Sequence, residues 1–196
     1  MQSTQNQTGG TSATFTVHNA ESAPEASRPF LERAQKQFGM VPNLIGLLSE
    51  SPVAVEAYQT LSSLFWKTSF TPTERNLVWL TIIYENNCRY CMAAHTGIAK
   101  SEKVDEDIIA ALRAGEVLQD QRLEALRAFT RSVVVNRGFV GDGELEAFLA
   151  AGFTQKNVFE LLVGVAHKVL SNYANHLAET EVDRPFKKFA WTKGQE

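Results

Sequence analysis

The chain has 196 residues and a mass of 21.7 kDa, the size of one domain with at most an attached arm. Its 44% hydrophobic and 21% charged residues are typical of a globular protein, and a formal charge of −3 argues against a nucleic-acid partner. The longest apolar stretch, residues 77–84, is too short for a membrane helix, and residues 1–16 resemble no export or transit signal. We therefore expect a cytoplasmic protein without a membrane partner.

Polar residues dominate the beginning of the chain. Residues 1–26 contain little that a core could bury, so they are expected to form a disordered or irregular arm, with 1–14 disordered. Helices are expected from Ser27 onward, where Ser27 is the candidate N-cap of the first one. Proline, glycine and N-capping residues mark helix starts and ends here, and they predict helices over 27–38, 43–49 and 52–67.

A strong helix start lies at Thr71, where T-P-T-E offers a capping box and a proline in the first helical position. The helix that follows carries Leu77, Leu80 and Tyr84 and is apolar on almost every side. A helix that is apolar all round is a buried one. The sequence therefore predicts that this segment is the central helix of the domain.

The second half of the chain also shows helical spacing, with Asp142 and Thr154 as candidate N-caps. No run alternates long enough for a strand, so we predict an all-α domain of about eight helices over residues 27–185. Residues 186–196 form a charged tail whose aromatic side chains fold back or reach a neighbouring subunit. The helices expected here cover 91–100, 105–114, 120–137, 142–152 and 155–178.

Two cysteines and a histidine form the chemical signal of the sequence. Cys88 and Cys91 stand three residues apart at a helix start, a spacing that can reach the geometry of a disulfide. Helix N–H groups in a first turn favour an anion, which lowers the pKa of the Cys91 thiol. His95 lies one turn later on the same face, where its imidazole can take the thiol proton. These are the parts of a thiol peroxidase, in which a sulfenic acid on one cysteine condenses with the other thiol.

Other interpretations of the C-x-x-C pair stay open. C-x2-C-x3-H offers three zinc ligands, and a contact with His176 would supply the fourth that a structural site needs. The spacing can also be coincidental. Covalent haem attachment is excluded because no histidine directly follows Cys91, and the lack of a βαβ pattern argues against a thioredoxin fold. Redox chemistry is the prediction, without a metal and, in the absence of G-x-G-x-x-G, without a flavin or nicotinamide cofactor.

The core E-N-N-C-x-Y-C-x-A-A-H, residues 85–95, resembles that of the alkylhydroperoxidase D-like, carboxymuconolactone decarboxylase superfamily. The resemblance covers about residues 28–185. Four further segments are similar to that superfamily or to its peroxidase-related branch: F-G-M-V-P-N-L at 38–44, L-R-A-F at 126–129, N-R-G at 136–138 and S-N-Y-A-N-H at 171–176.

The resemblance implies an all-α homo-oligomer, a dimer, trimer or hexamer, that reduces hydroperoxides at a Cys-Cys-His site. It makes Cys91 the peroxidatic thiol, Cys88 the resolving thiol, and His95 part of a proton relay with a glutamate. Family enzymes carry that glutamate twelve residues before the first cysteine, a position that Asn76 occupies in this chain.

Two glutamates are candidates to replace the missing relay residue. Glu85 ends the central helix beside the cysteines, where its carboxylate can orient or deprotonate His95. Glu74 has a sufficient structural role in the capping box and is the weaker candidate. Family enzymes also carry a histidine where this chain has Tyr90, which can donate a hydrogen bond but cannot act as a base at neutral pH.

Two further histidines lie on the last helix. His176 shares one side of it with three valines, which predicts either a core histidine or a pocket residue facing the thiols. His167 falls on the opposite, polar side and is expected at the surface.

The sequence thus predicts a peroxidase that reduces small organic hydroperoxides or hydrogen peroxide through a Cys88–Cys91 dithiol cycle. An external thiol or dithiol reductant protein closes that cycle. The alternatives are a carboxymuconolactone decarboxylase-type enzyme on the same fold, and a zinc-binding or structural oligomeric protein. The second thiol argues against the decarboxylase, whose chemistry has no use for it.

Overall fold

The structure is a computed structural model that describes residues 14–195. The predicted all-α class is confirmed: these residues contain no strand, and nine α-helices stand where about eight were expected. Short 3₁₀ helices precede the first of them, at Glu25–Ser27, and follow the last, at Arg184–Phe189. The helices are α1 Arg28–Phe38, α2 Asn43–Leu48, α3 Pro52–Trp66, α4 Pro72–Glu85, α5 Arg89–Ser101, α6 Glu106–Ala114, α7 Gln121–Val135, α8 Asp142–Ala150 and α9 Gln155–Ala178.

The capping box at the start of α4 is confirmed. The backbone N–H of Glu74 donates to the Thr71 hydroxyl at 3.2 Å, and the backbone N–H of Thr71 donates to the Glu74 carboxylate at 2.8 Å. Both bonds satisfy N–H groups that a helix start leaves without partners. Thr154 is likewise the N-cap of α9, as predicted.

Three other predicted helix starts differ from the structure. Ser27 makes no side-chain cap, because the 3₁₀ helix before it already holds its backbone in a helical conformation. Gly141 is the N-cap of α8, and Asp142 is its first helical residue. Helix α5 starts two residues before Cys91, with Cys88 as its N-cap.

Helix α4 is the central helix, as the sequence predicts. Its apolar side chains, among them Leu77, Leu80 and Ile83, are fully buried. It contacts α5, α6, α7 and α9, so that it is covered on several sides. Because α4 leads directly into the turn before α5, this packing fixes the position of the cysteines.

Helix α9 packs on α3 and α4 through a face that is largely polar. Its outer face carries apolar side chains that stay exposed, including Phe159, Tyr173 and Leu177. The usual arrangement of an amphipathic helix is thus reversed over much of its length. The buried face consists of Leu161, Gly164, His167, Lys168, Ser171, Asn172 and Asn175.

Both ends of the described chain lie against the helical body. The backbone N–H of His18 donates to the carbonyl of Gly46 at 3.1 Å. The C-terminal 3₁₀ helix packs on α5, and Trp191 is buried with its indole N–H donating to the carbonyl of Arg113 at 2.9 Å. The tail aromatics therefore fold back. The disorder expected for residues 1–14 falls almost wholly outside the described residues.

Within residues 14–195, no helix combines the length and the apolar character needed to cross a membrane.

Gly164 permits the close approach of α9 to α3. A Cβ at this position would lie 2.6 Å from Cε2 of the fully buried Phe65, closer than packed carbon atoms come. We expect Gly164→Ala to lower the free energy of unfolding by about 1–3 kcal/mol through overpacking, measured by urea denaturation. Gly143→Ala is the matched control: its Cβ meets open space on α8, so it should raise stability by up to about 1 kcal/mol. Equal effects of the two substitutions would contradict this account.

Candidate functional site

The two cysteines lie where the chain turns from α4 into α5. Asn87 takes a left-handed conformation, with φ of 55°, and Cys88 follows as the N-cap of α5. Cys91 lies in the first turn of the helix, and His95 follows one turn later. Both thiols are free and buried. The short turn therefore places two reduced thiols and an imidazole at the buried end of one helix.

A buried lysine on α9 faces this group. Lys168 has no exposed surface, and its Nζ lies 2.8 Å from Nε2 of His95 and 5.3 Å from the centre of the Trp79 ring. Removing an ammonium group from water costs several kcal/mol unless charges and hydrogen bonds compensate. Burial lowers the pKa of Lys168 to about 8, and the nearby Cys91 and Cys88 limit that fall. The negative charge on the cysteines therefore helps to keep Lys168 protonated.

Cys91 has the surroundings of a thiolate. Burial alone would raise its pKa, but a hydrogen bond from Cys88 and the positive charge of Lys168 lower the pKa to about 6. The side-chain amides of Asn172 and Asn175 lower it further. Asn175 donates its Nδ2–H to Cys91 Sγ at 3.3 Å. A buried anion that has donors and a nearby cation is the form in which a cysteine is nucleophilic.

Cys88 has the opposite character. Its hydrogen bond to Cys91 stabilises the protonated thiol, and burial adds to this, so that the pKa of Cys88 is raised. The pair thus consists of one thiol that donates and one thiolate that accepts.

His95 is held neutral. Burial and the adjacent Lys168 charge lower its pKa well below the usual range. Its Nε2 accepts a hydrogen bond from the lysine, which leaves the proton of the neutral ring on Nδ1. The edge of the ring lies against Trp79, with centroids 4.9 Å apart. His95 therefore fixes the ammonium group, and its Nε2 lone pair is already engaged.

His167 is buried, with 1% of its surface exposed, so its predicted surface position is wrong. Its ring lies 4.7 Å from the ring of Tyr58 and 5.7 Å from Trp79, measured between centroids. The error has a physical cause: the helix face that reads as polar in the sequence is the buried face of α9. Burial, Lys168 and His95 together lower the pKa of His167.

The candidate relay glutamates lie elsewhere. Glu85 accepts from Nε of Arg131 at 3.0 Å, whereas the partner of His95 is Lys168. Glu74 caps α4 and pairs with Arg122 at 3.1 Å. The structure therefore brings a cation, and neither of these carboxylates, to the histidine.

Two further residues singled out by the family pattern have structural partners. The Asn76 amide donates to the carbonyl of Pro72 and to the Glu102 carboxylate. The Tyr90 hydroxyl donates to Oδ2 of the buried Asp183 at 2.6 Å and accepts from the backbone N–H of Leu44. Tyr90 thereby ties α5 to the start of α2 and to the segment after α9.

His176 is exposed, so the prediction of a core histidine is wrong, but it does line a cleft. The cleft has a volume of about 1050 Å³ and lies between the start of α5, the end of α9 and the C-terminal segment. Cys88 is among its lining residues, together with Asn175 and His176. His176 belongs to the surroundings of Cys88 and is separate from the Lys168–His95 pair.

Within residues 14–195, no group of three or more histidine, cysteine, aspartate or glutamate side chains is arranged to hold a metal ion. The cation beside the thiols is an ammonium group, which has no lone pair to offer a metal.

Two residues of this site were not predicted from the sequence. The signal that could have found them is a polar stripe on α9 at helical spacing, on a helix whose other faces are apolar. Such a stripe is typical of a helix that faces a buried polar site. The residues that were missed are Lys168 and Asn172 on α9.

Comparison with known proteins gives a family match and a shared fold. Residues 54–131 match the Carboxymuconolactone decarboxylase family. None of the curated proteins matches the chain in sequence. A peroxidase-related protein from Ralstonia eutropha JMP134, described as an alkylhydroperoxidase AhpD core, has a TM-score of 0.75 and 22% identity over 88% of this chain and 93% of its own.

Two other solved structures have the same fold. A peroxidase-related protein from Silicibacter sp. TM1040 has a TM-score of 0.74 and 15% identity, covering 91% of this chain and 97% of its own. A cysteine-to-alanine variant of the debrominase Bmp8, in complex with 2,3,4-tribromopyrrole, has a TM-score of 0.73 and 16% identity, covering 90% of this chain and 95% of its own.

The role of Lys168 can be measured directly. In Lys168→Met, an apolar side chain of similar length replaces the buried cation, a kind of change that proteins often tolerate. Loss of the charge should raise the pKa of Cys91 by about 1–3 pH units, because an opposite charge at close range no longer favours the thiolate. The measurement is the pH dependence of thiolate ultraviolet absorbance, taken as the difference between each protein and its Cys91→Ser derivative.

Lys156→Met is the matched control, since Lys156 is an exposed lysine on the same helix whose ammonium pairs with Glu160. It should leave the Cys91 titration unchanged. A titration midpoint near pH 6 in the Lys168 variant as well would show that the lysine does not stabilise the thiolate.

Proposed function

We propose that this chain, whose residues 54–131 match the Carboxymuconolactone decarboxylase family, is a thiol-dependent peroxidase that reduces small organic hydroperoxides or hydrogen peroxide. One observation carries the proposal: the two free, buried thiols of Cys91 and Cys88 share one buried site with Lys168, whose charge lowers the pKa of Cys91. That set contains a nucleophile, a resolving group and a proton donor.

Oxidation begins at Cys91. Its thiolate attacks the terminal oxygen of the hydroperoxide, the O–O bond breaks, and the bonding pair leaves with the alkoxide or hydroxide. The sulfur becomes a sulfenic acid and has lost two electrons. The low pKa of Cys91 makes the thiolate the prevailing form at neutral pH.

Lys168 supplies the proton that the leaving oxygen needs. The negative charge of Cys91 supports the charge of the lysine, so conversion of the thiolate to a neutral sulfenic acid removes that support. The lysine therefore becomes a stronger acid at the moment the alkoxide forms. His95 takes part by holding the ammonium group through Nε2, 2.8 Å away, and this replaces the histidine–glutamate relay expected with Glu85.

Cys88 resolves the sulfenic acid. Cys88 and Cys91 lie three residues apart at the start of α5, a spacing that can reach the geometry of a disulfide. Attack of Cys88 on the sulfenic sulfur forms the disulfide and releases water. An external thiol reductant then returns both cysteines to the reduced state.

A second candidate function follows from the debrominase neighbour. A thiolate can also take bromine from an electron-rich bromopyrrole: the ring keeps the bonding electrons and gains a proton, and the sulfur carries the halogen until the second thiol displaces bromide. This reaction uses the same two cysteines and gives the same disulfide. The oxidant that the protein accepts therefore decides between the two functions.

The first test is the mass of the fully reduced protein before and after one equivalent of an organic hydroperoxide. We expect the loss of two hydrogens, mapped to a Cys88–Cys91 link within seconds. Cys91→Ser should abolish the reaction, while Cys88→Ser should stop at a sulfenic acid on Cys91 that dimedone traps.

The two cysteine variants control for each other, because each keeps one buried thiol. Full peroxide turnover by Cys91→Ser would overturn the assignment, and a trapped sulfenic acid on Cys88 would reverse the roles. If 2,3,4-tribromopyrrole forms the disulfide and hydroperoxides do not, the debrominase function is the correct one.

The pH dependence of Cys91 oxidation should be bell-shaped. The thiolate is present above its pKa of about 6, and the lysine is protonated below its pKa of about 8, so the rate should rise through the first value and fall through the second. Because the ionisations of Cys91 and Lys168 are coupled, the two apparent pKa values of the profile belong to the pair and not to either residue alone. Lys168→Met should lose the alkaline limb, and a limb that persists near pH 8 in this variant would exclude the lysine as the proton donor.

A further inference from the structure

Only one of the two cysteines lines the cleft beside α5. Cys88 is one of its lining residues, whereas Cys91 and Lys168 lie deeper, outside the lining. Its volume of about 1050 Å³ is at the upper end of the range of small-molecule sites. A reductant that enters it would therefore meet a Cys88–Cys91 disulfide from the side of Cys88.

The chemistry of disulfide exchange favours the same direction. Exchange is faster when the departing sulfur has the lower pKa. Attack on Cys88 expels Cys91, which its amide donors and the buried lysine stabilise as a thiolate. Attack on Cys91 would expel Cys88, whose pKa is raised. The position of Cys88 in the cleft lining and the stability of Cys91 as a leaving group therefore both favour attack on Cys88.

The charges around the cleft favour an anion. The Arg89 guanidinium is exposed on its wall and makes no hydrogen bond or ion pair within residues 14–195. The Lys193 ammonium also lies on the wall and donates to the carbonyl of Tyr84 at 3.0 Å. Among the described lining residues, Glu179 is the one carboxylate. Two permanent cations thus face one anion.

A buried acceptor in the cleft has no partner. Asn175 is 4% exposed and lines the cleft, and its Nδ2 is used by Cys91 Sγ. Its Oδ1 is buried and accepts no hydrogen bond within the described residues. A buried acceptor without a partner costs about 1–3 kcal/mol, so an occupant that brings an N–H, O–H or S–H donor would be stabilised there.

We propose that this cleft binds a low-molecular-weight thiol that carries a carboxylate, with Arg89 pairing with the carboxylate while the thiol sulfur attacks Sγ of Cys88. The inference rests on the proposed function only in requiring that a Cys88–Cys91 disulfide forms.

The reduction has two balanced steps. The incoming thiolate forms a bond to Cys88 Sγ while the Cys88–Cys91 bond breaks, and Cys91 leaves with the electron pair as a thiolate. A second thiolate, from another molecule or from the same one if it is a dithiol, then attacks the sulfur of the bound reductant. Cys88 leaves with the electron pair and takes a proton, and the reductant departs as its disulfide, having supplied two electrons.

The test starts from full-length protein that has been oxidised with diamide, so that no hydroperoxide is involved. The disulfide is then reduced with three small thiols of different charge: 3-mercaptopropionate, 2-mercaptoethanol and cysteamine. Rate constants are compared per thiolate at low ionic strength, from the mass of acid-quenched samples. The anionic thiol should react about fivefold faster than the neutral one, the upper end of what an exposed ion pair gives, and the cationic thiol should be slowest.

Arg89→Gln should remove the preference and leave the rate with 2-mercaptoethanol within about twofold. Lys36→Gln is the matched control, since Lys36 is an exposed cation on α1, which does not line the cleft. Equal rates for the three thiols, or a uniform loss of rate in the Arg89 variant, would overturn the proposal. Reduction by a protein dithiol alone, with no reaction of the small thiols, would overturn it as well.

The site of attack is read from samples quenched with N-ethylmaleimide during reduction. The thiol adduct should map to Cys88 and the maleimide to Cys91, and the reverse assignment would overturn the proposal. If diamide forms no Cys88–Cys91 disulfide, this inference and the peroxidase proposal both fail. A charge preference in a protein that hydroperoxides do not oxidise would leave the reductant site in place and remove the proposed function.

Discussion

The arrangement of the site follows from the burial of one ammonium group. Lys168 has no contact with solvent, so its charge is tolerated only because Cys91, His95 and the Trp79 ring surround it. The lysine in turn adds to the hydrogen bond of Cys88 in lowering the pKa of Cys91, and to burial in lowering the pKa of His95. The thiolate form of Cys91 is therefore needed to keep a charged Lys168 in the core, and each of the two groups stabilises the charge of the other.

The helices follow from the same constraint. Helix α9 delivers a lysine, a histidine and two asparagines to the interior, while apolar side chains such as Phe159 and Leu177 lie exposed on its outer face. Contact with α3 is kept by Gly164, which lets Phe65 approach the helix backbone. Helix α4 supplies the apolar core that the polar face of α9 lacks. The apolar packing is thus centred on α4, whereas the polar site lies on the buried face of α9.

This separation explains which features the sequence could predict. The all-α class, the capping box at Thr71 and the buried α4 follow from local signals, and local signals were sufficient there. Sequence patterns place Cys88, Cys91 and His95 at the start of one helix, because their spacing is short. The reversed face of α9 could not be found, because periodicity arguments assume that the buried face is the apolar one. That assumption put His167 at the surface, made a core position one of the two predictions for His176, and left Lys168 without a role.

The lysine also bears on how a disulfide between the two cysteines would be reduced. Oxidation converts the Cys91 thiolate into a neutral sulfur, so the oxidised state lacks the attraction between thiolate and ammonium that stabilises the reduced state. The oxidised state is therefore penalised relative to the reduced state. A disulfide whose reduced form is stabilised in this way has a higher reduction potential and accepts electrons from ordinary thiols. In the proposed cycle, the interaction that prepares Cys91 for oxidation thus also favours its reduction, and Cys88, which lines the cleft, is the residue that we propose the reductant attacks.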